Sequence, residues 1–397
     1  MEALPPDKWI EVNLDALEHN YQQVRLYIPE GVGVMGVVKA DAYGLGSFEV
    51  ANLLEQLHVD YLGVTYVQEA LELRERGIST PILVFAPARG EQVAESIKNN
   101  LTLTVDSVAS AALIKNCAER LNRQVKVHIK IDTGLTRFGL EPEEFLALVF
   151  DLASDERIVI EGVYTHLGRA GERNSRWAWR QFRLFEQVLQ LLDEENIKLK
   201  YRHCCNSAAV LRYPEMHLDM VRIGTLLGGQ YPVGSVPHAL ELQNPYAFKS
   251  MVLSVKTVAK GRFIGYGGTY HTHHSAQLAV IPVGYRDGLG SATLSHPGSL
   301  LDYIKWCARL LLIFLNRPRP ESMVKIRGKN YPIRGKVFMQ MCIVEIPMET
   351  RVISGDEVSL PVRRTVASRD ITRIYLRQGE PGRQEIFKKM STYVTEY

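Results

Sequence analysis

Lys39 stands where this chain's residue types most directly suggest chemistry. It closes an apolar, β-branched run (Val34, Met35, Val37, Val38), and Gly44 and Gly46 punctuate the exit, the pattern of a buried strand entering a tight loop. An amine at the end of a buried strand is desolvated, which lowers its pKa and makes it nucleophilic toward an aldehyde. The plainer alternative is a lysine that snorkels to water. Other reactive or anion-binding types also follow strand-like runs: Tyr43, Lys130, Asp132, Arg137, His166, Asn206, Ser207, Arg222, Gly224 and Thr225. Each is weak alone; their shared placement after strands is the stronger signal.

The elements that must position them alternate. Residues 9–14 read as a strand, Asp15 suits a helix N-cap, and 16–27 read as a helix. Strand-like runs follow at 36–38, 61–65, 82–85, 101–105, 125–131, 159–165, 199–203 and 220–223, with amphipathic stretches between them. Eight strands alternating with helices over about 230 residues predict an α/β fold, a (β/α)8 TIM-type barrel, whose active sites lie at the C-terminal strand ends. Periodicity leaves a doubly wound open sheet as the alternative. After about Pro245 short alternating strands dominate (250–258, 277–283, 324–326, 331–333, 337–341, 344–346, 357–360), predicting a mainly antiparallel C-terminal β-domain, a small β-barrel. The expected boundaries are a barrel over 1–245, whose first ~12 residues join either domain, and a β-domain over 246–397.

A chain of 397 residues calls for two domains. Its net charge of +3 gives no electrostatic support to nucleic-acid binding. Five irregularly spaced cysteines suit a reducing cytosol better than a disulfide framework. The first residues show no export signal, and the longest apolar run, 304–315, falls short of a membrane span, so a cytoplasmic protein is expected.

The segment from Val37 to Gly46, VVKADAYGLG, resembles the cofactor-attachment motif of the alanine racemase family, in which the lysine carries pyridoxal 5′-phosphate (PLP) as a Schiff base. The likeness extends over nearly the whole chain. KIDTGLTRFG (130–139) is similar to the family's KxDTGMxRxG; the resemblance implies that Arg137 meets the substrate carboxylate and that Lys130 sits at a position carbamylated in many members, a plain lysine being the alternative. Tyr164-Thr165-His166 resembles YTH, with His166 in a hydrogen-bond chain. NSAA (206–209) and MVRIG (220–224) imply a phosphate cradle of the Ser207 hydroxyl and the Gly224 and Thr225 amides, with Tyr43 adding a donor, and Arg222 facing the pyridine nitrogen. An arginine cannot accept a proton, which weakens the electron sink and keeps the carbanion short-lived.

In the C-terminal region, IGYGGTY (264–270) resembles the family's [VI]xYGxT, which implies Tyr266 as a second base opposite Lys39. A phenol near pKa ~10 must be lowered to serve, and the His166–Arg222 pair is the expected cause. IPVGYRDG (281–288), with Tyr285, and VFMQM (337–341), with Met339, match further segments near the substrate. The resemblance implies an isomerase interconverting L- and D-alanine by a two-base mechanism, supplying D-alanine for peptidoglycan, as a homodimer with shared active sites.

Three departures qualify that. Gln340 replaces the family's aspartate, Ser368 or Arg369 stands where a phosphate-contacting tyrosine is common, and 295–322 is longer than the family's connection. The first two make a larger substrate such as serine or lysine the main rival. A decarboxylase is disfavoured by Arg222 and Tyr266, and a non-catalytic PLP carrier by the presence of the second domain. The 304–315 helix is expected to pack on the body or a dimer partner. No metal is expected: His271, His273 and His274 lack acidic or sulfur partners and read as a solvated hairpin, and Glu380-Pro381-Gly382-Arg383 reads as a turn.

Overall fold

A computed structural model describes residues 6–172, 176–232, 236–291, 300, 303–308 and 322–378. The chain divides into two compact units, Leu14–Pro245 and Met1–Asn13 with Tyr246–Tyr397. Most of the 295–322 connection, and the whole of 380–383, lies outside the described residues. Within the connection, residues 303–308 are helical and expose Tyr303, Ile304 and Trp306. Among the described residues no helix is long and apolar enough to cross a membrane.

The first strand, β1 (Lys8–Asn13), leads into helix α1 (Leu14–Tyr27). That helix begins one residue before the expected cap, and Asp15 lies in its first turn, where a carboxylate favours the positive end of the helix dipole. Eight parallel strands follow: β2 (Gly33–Val37), β3 (Tyr61–Val64), β4 (Ile82–Val84), β5 (Thr102–Val105), β6 (Val125–Lys130), β7 (Ile158–Tyr164), β8 (Tyr201–His203) and β9 (Met220–Ile223). Their order, β8-β7-β6-β5-β4-β3-β2-β9, brings the two ends of the sheet round to each other. Asp219 N donates to Arg202 O at 3.1 Å and Arg222 N to Cys205 O at 3.1 Å across that seam, so the barrel nearly closes and the open-sheet alternative falls away. Most of these strands are buried along their length, as parallel strands covered on both faces must be. Met35, Tyr61, Leu83, Tyr164, Tyr201 and Met220 pack together within the unit.

The other unit carries β10 (Tyr246–Met251), β11 (Ser254–Val258), β12 (Phe263–Ile264), β13 (Tyr270–His271), β14 (Ala276–Ile281), β15 (Met323–Ile326), β16 (Lys329–Arg334), β17 (Cys342–Pro347), β18 (Glu357–Leu360) and β19 (Arg373–Leu376). Nine strands form one sheet, β11-β14-β17-β16-β15-β18-β10-β1-β19, antiparallel except for the β1–β19 pair, and β12–β13 is a separate hairpin. The expected strand at 250–258 is two strands, β10 and β11, interrupted at Val252 and Leu253. The expected strand at 337–341 is a loop. Its carbonyls serve a turn: Phe338 O accepts from Tyr285 N at 3.0 Å and Met339 O from Arg286 N at 3.0 Å. A β-carbon at Gly284 would lie 2.3 Å from Phe338 O, so only glycine lets the two loops approach this closely.

Candidate active site

Lys39 follows β2, but the chain does not turn into an ordinary helix there. Ala40, Asp41, Ala42 and Tyr43 have φ of 51°, 57°, 49° and 58°, a left-handed turn built without glycine. Such residues are individually unfavourable, so neighbouring groups must impose the turn. The Glu69 carboxylate is one of them: it accepts from Ala40 N at 2.6 Å through one oxygen, and from Thr65 N at 2.9 Å and Tyr66 N at 3.0 Å through the other. Asp41 accepts from Ser47 N at 3.1 Å and closes the far side. Burial and the Arg137 charge together push the Lys39 amine below the usual lysine range, against a smaller opposing pull from Glu69.

The turn aims Tyr43 at Gly224, just beyond β9. A β-carbon on Gly224 would lie 2.6–2.9 Å from the Tyr43 ring and hydroxyl, and the Gly224 amide donates to the Ser207 hydroxyl at 3.2 Å. Ser207, Gly224 and Tyr43 therefore converge from three separate chain segments on one small polar cradle. Asn206, beside it, caps the helix α8 (Ser207–Arg212; the longer helices α2–α7 are Ser47–Gln56, Val67–Glu75, Glu91–Lys98, Val108–Leu121, Phe145–Ala153 and Arg176–Glu194) by accepting from Ala208 N and Ala209 N, each at 3.1 Å. Its side-chain amide nitrogen donates to Leu167 O at 3.0 Å and lies 3.5 Å from His166 Nε2.

Arg222, on β9, is buried. Its guanidinium donates to His203 Nδ1 at 2.8 Å and to the carbonyls of Thr165, Cys204 and His203 at 2.8–3.2 Å. His166 Nδ1 is 3.5 Å away, and burial followed by the Arg222 charge holds this imidazole neutral, well below the usual histidine range. Lys130, at the end of β6, is 1% exposed, and its buried Nζ has no hydrogen-bond partner. Burial and then Arg222 push its pKa down to about 8. Asp132 is spent on a turn, its carboxylate accepting from the amides of Gly134, Leu135 and Thr136 at 2.9–3.1 Å.

A cavity of about 950 Å³ collects Lys39, Tyr43, Lys130, Arg137, His166, Asn206, Ser207, Arg222, Gly224 and Thr225, all within one unit. Tyr266, Tyr285 and Met339 belong to the other unit, with exposures of 73%, 53% and 54%. Tyr266 rests edge-on against Phe338, ring centres 5.1 Å apart.

Residues 12–232 match the family model "Alanine racemase, N-terminal domain", and residues 246–374 match "Alanine racemase, C-terminal domain". The chain belongs to the alanine racemase family. It is 35% identical over 357 residues to alanine racemase 1 of Oceanobacillus iheyensis, covering 89% of this chain and 88% of that one. An alanine racemase of Methanococcus maripaludis is 34% identical over 354 residues, covering 89% and 88%. Among solved structures, the alanine racemase of Clostridium difficile 630 superposes with a TM-score of 0.85 at 32% identity, covering 95% of this chain and 98% of that one. The Bacillus anthracis family member, described with bound L-Ala-P, gives 0.80 at 27% identity, covering 95% and 97%.

Three residues around the family site escaped the sequence reading. Glu69 had a signal, standing three residues after Tyr66 at a helix start, where a carboxylate reaches back to free amides. His128 and His203 lie inside strands, and nothing in their local pattern separates an inward histidine that bonds from one that packs.

Proposed function

We propose that this protein is a PLP-dependent alanine racemase that works as a homodimer in the cytosol and supplies D-alanine for peptidoglycan. The observation that carries the reading is a single barrel cavity joining a desolvated amine, an anion cradle and a buried guanidinium. Those residues fit the coenzyme. Lys39 would hold its aldehyde carbon, Ser207, the Gly224 and Thr225 amides and Tyr43 its phosphate, and Arg222 its ring nitrogen. When bound, PLP supplies the electron sink that makes the substrate α-proton acidic.

The chain's own residues then divide the work. Arg137 binds the substrate carboxylate, for which a planar, permanently charged fork is suited. Lys39 takes and returns the proton on the D-isomer's face, and Tyr266, contributed by a second copy of the chain, does so on the L-isomer's face. Arg222 and His166 supply the positive field and hydrogen bonding that bring a phenol into range. Tyr285 and Met339 bound the substrate from the same side as Tyr266. Lys130, an unpartnered amine with a pKa near 8, has the deprotonated fraction that reaction with carbon dioxide requires; as a carbamate it becomes an anion that orients Arg137.

Gln340 and the Ser368 or Arg369 position favour one rival, a racemase of serine or lysine, because the first removes a charge and the second a bulky ring near the substrate. The test is turnover of L-alanine, L-serine and L-lysine by the PLP-saturated protein in deuterated water. We expect D-alanine with deuterium at the α-carbon. A strong preference for a larger amino acid overturns the substrate; carbon dioxide release, or no α-exchange at all, overturns the reaction.

A further inference from the structure

Arg222 raises a problem that its own contacts leave open. It is a buried cation whose bonded partners are all neutral, three carbonyl oxygens and the imidazoles of His203 and, more distantly at 3.5 Å, His166. A buried charge without an anion is costly. Because arginine has only donors, His203 Nδ1 must accept from it, and a neutral His203 then carries its proton on Nε2. That Nε2 is 2.9 Å from His128 Nδ1 and donates to it, which leaves the His128 proton on Nε2 as well. His128 Nε2 is fully buried with no hydrogen-bond partner, and Glu161 Oε2 faces it at 3.9 Å.

Glu161 is fixed as an anion at this end of the chain of contacts. The Tyr61 hydroxyl donates to it, the Thr102 hydroxyl donates in turn to Tyr61 at 2.8 Å, and Lys126 Nζ is 2.9 Å from its other oxygen. His203 has little freedom to turn, stacked on Tyr164 with centres 4.9 Å apart and planes 3° from parallel. The obligate donor at one end sets one direction for both imidazoles, and the anion 3.9 Å beyond His128 Nε2 favours the same direction electrostatically.

We infer that Glu161 is a positioning residue for Arg222: a remote anion on β7 that orients His128 and, through it, His203, so that a lone pair and not an N–H meets the guanidinium. The inference rests on reading the cavity as the racemase site. With the imidazole pair reversed, His203 would present N–H against N–H and push Arg222 from its place.

The test is nitrogen-15 NMR of the full chain labelled at histidine and saturated with PLP, read beside α-deuteration of alanine. In the unaltered protein we expect neutral His128 and His203, both with the proton on Nε2. In Glu161→Met we expect the His128 signal to spread over both tautomers and kcat to fall on the order of tenfold, the scale of losing an outer partner of a functional group, with KM little changed. Glu161→Gln keeps an acceptor oxygen and should recover most of both effects. A His203 bearing Nδ1–H in the unaltered protein, a Met variant with unchanged tautomers and kcat, or a Gln variant as damaged as Met each overturns the inference. If Glu161→Met does not fold, Glu161→Ala, which also lacks an acceptor, takes its place with the same expected and overturning results. The tautomers are read without turnover, so failure of the racemase assignment shows separately, as an unaltered protein that exchanges no α-proton.

Discussion

The barrel unit and the β-rich unit carry their functional side chains in opposite states. On the barrel every candidate except the exposed Arg137 is buried or half-buried, and the central ones are held: Arg222 bonds to three carbonyls and to His203, Ser207 is tied to Gly224, and the backbone beside Lys39 is clamped by Glu69. On the β-rich unit Tyr266, Tyr285 and Met339 stand largely in solvent on a loop-borne face. A site assembled within one compact unit can desolvate and orient its own groups before any substrate arrives. A side chain left exposed acquires those properties only when another surface covers it. The contrast is what a catalytic centre completed by a second copy would look like in a single chain.

That comparison can be broken from either side. The largest effect belongs to the barrel: Lys39→Ala should remove the visible absorbance of bound coenzyme and lower racemisation by about 10³-fold or more, the upper part of the range for losing a positioned acid–base group that is also the anchor. Next comes Tyr266→Phe, which should slow L-to-D conversion by about 10²-fold or more while leaving α-deuteration of D-alanine comparatively intact. Equal loss in both directions would mean that the exposed ring has no face of its own. Gly224→Ala should weaken coenzyme binding on the order of tenfold, because the new methyl would meet the Tyr43 ring at 2.6–2.9 Å; titration of the coenzyme's absorbance measures it.

The smallest effect concerns stability alone. Lys130 has a folded pKa near 8, below that of an unfolded lysine, so its protonated form costs stability below about pH 8 and the cost is relieved as pH rises toward 10.5. In carbon-dioxide-free buffer Lys130→Met should therefore be stabilising at pH 7, by at most about 3 kcal/mol, with the gain shrinking by pH 10. Melting curves at the two pH values check this; a gain independent of pH would refute the buried-ammonium account.

How much of this was legible beforehand follows from the range of the interactions. The alternation of strand and helix is local, and it gave the barrel, the change of character after Pro245 and the strand ends on which Lys39, Lys130, His166 and Arg222 sit. The loop at 337–341 was misread as a strand because its β-branched and aromatic residues carry the right pattern while its backbone partners lie in the turn at Tyr285, some fifty residues away. His128, His203 and Glu161 were invisible for the same reason. Their meaning arises from side chains meeting across the inside of a closed sheet, and no window of sequence contains more than one of them.

The left-handed turn after Lys39 has a consequence for how the protein fails. Four successive alanyl, aspartyl and tyrosyl residues in that conformation cost about 1–2 kcal/mol each, a sum comparable with the whole stability of an ordinary domain. Such a turn has no tendency to persist by itself and relaxes as soon as its surroundings loosen. Gentle denaturant should then silence the enzyme while circular dichroism still reports intact strands, making the lysine's reactivity the earliest gauge of damage to the barrel.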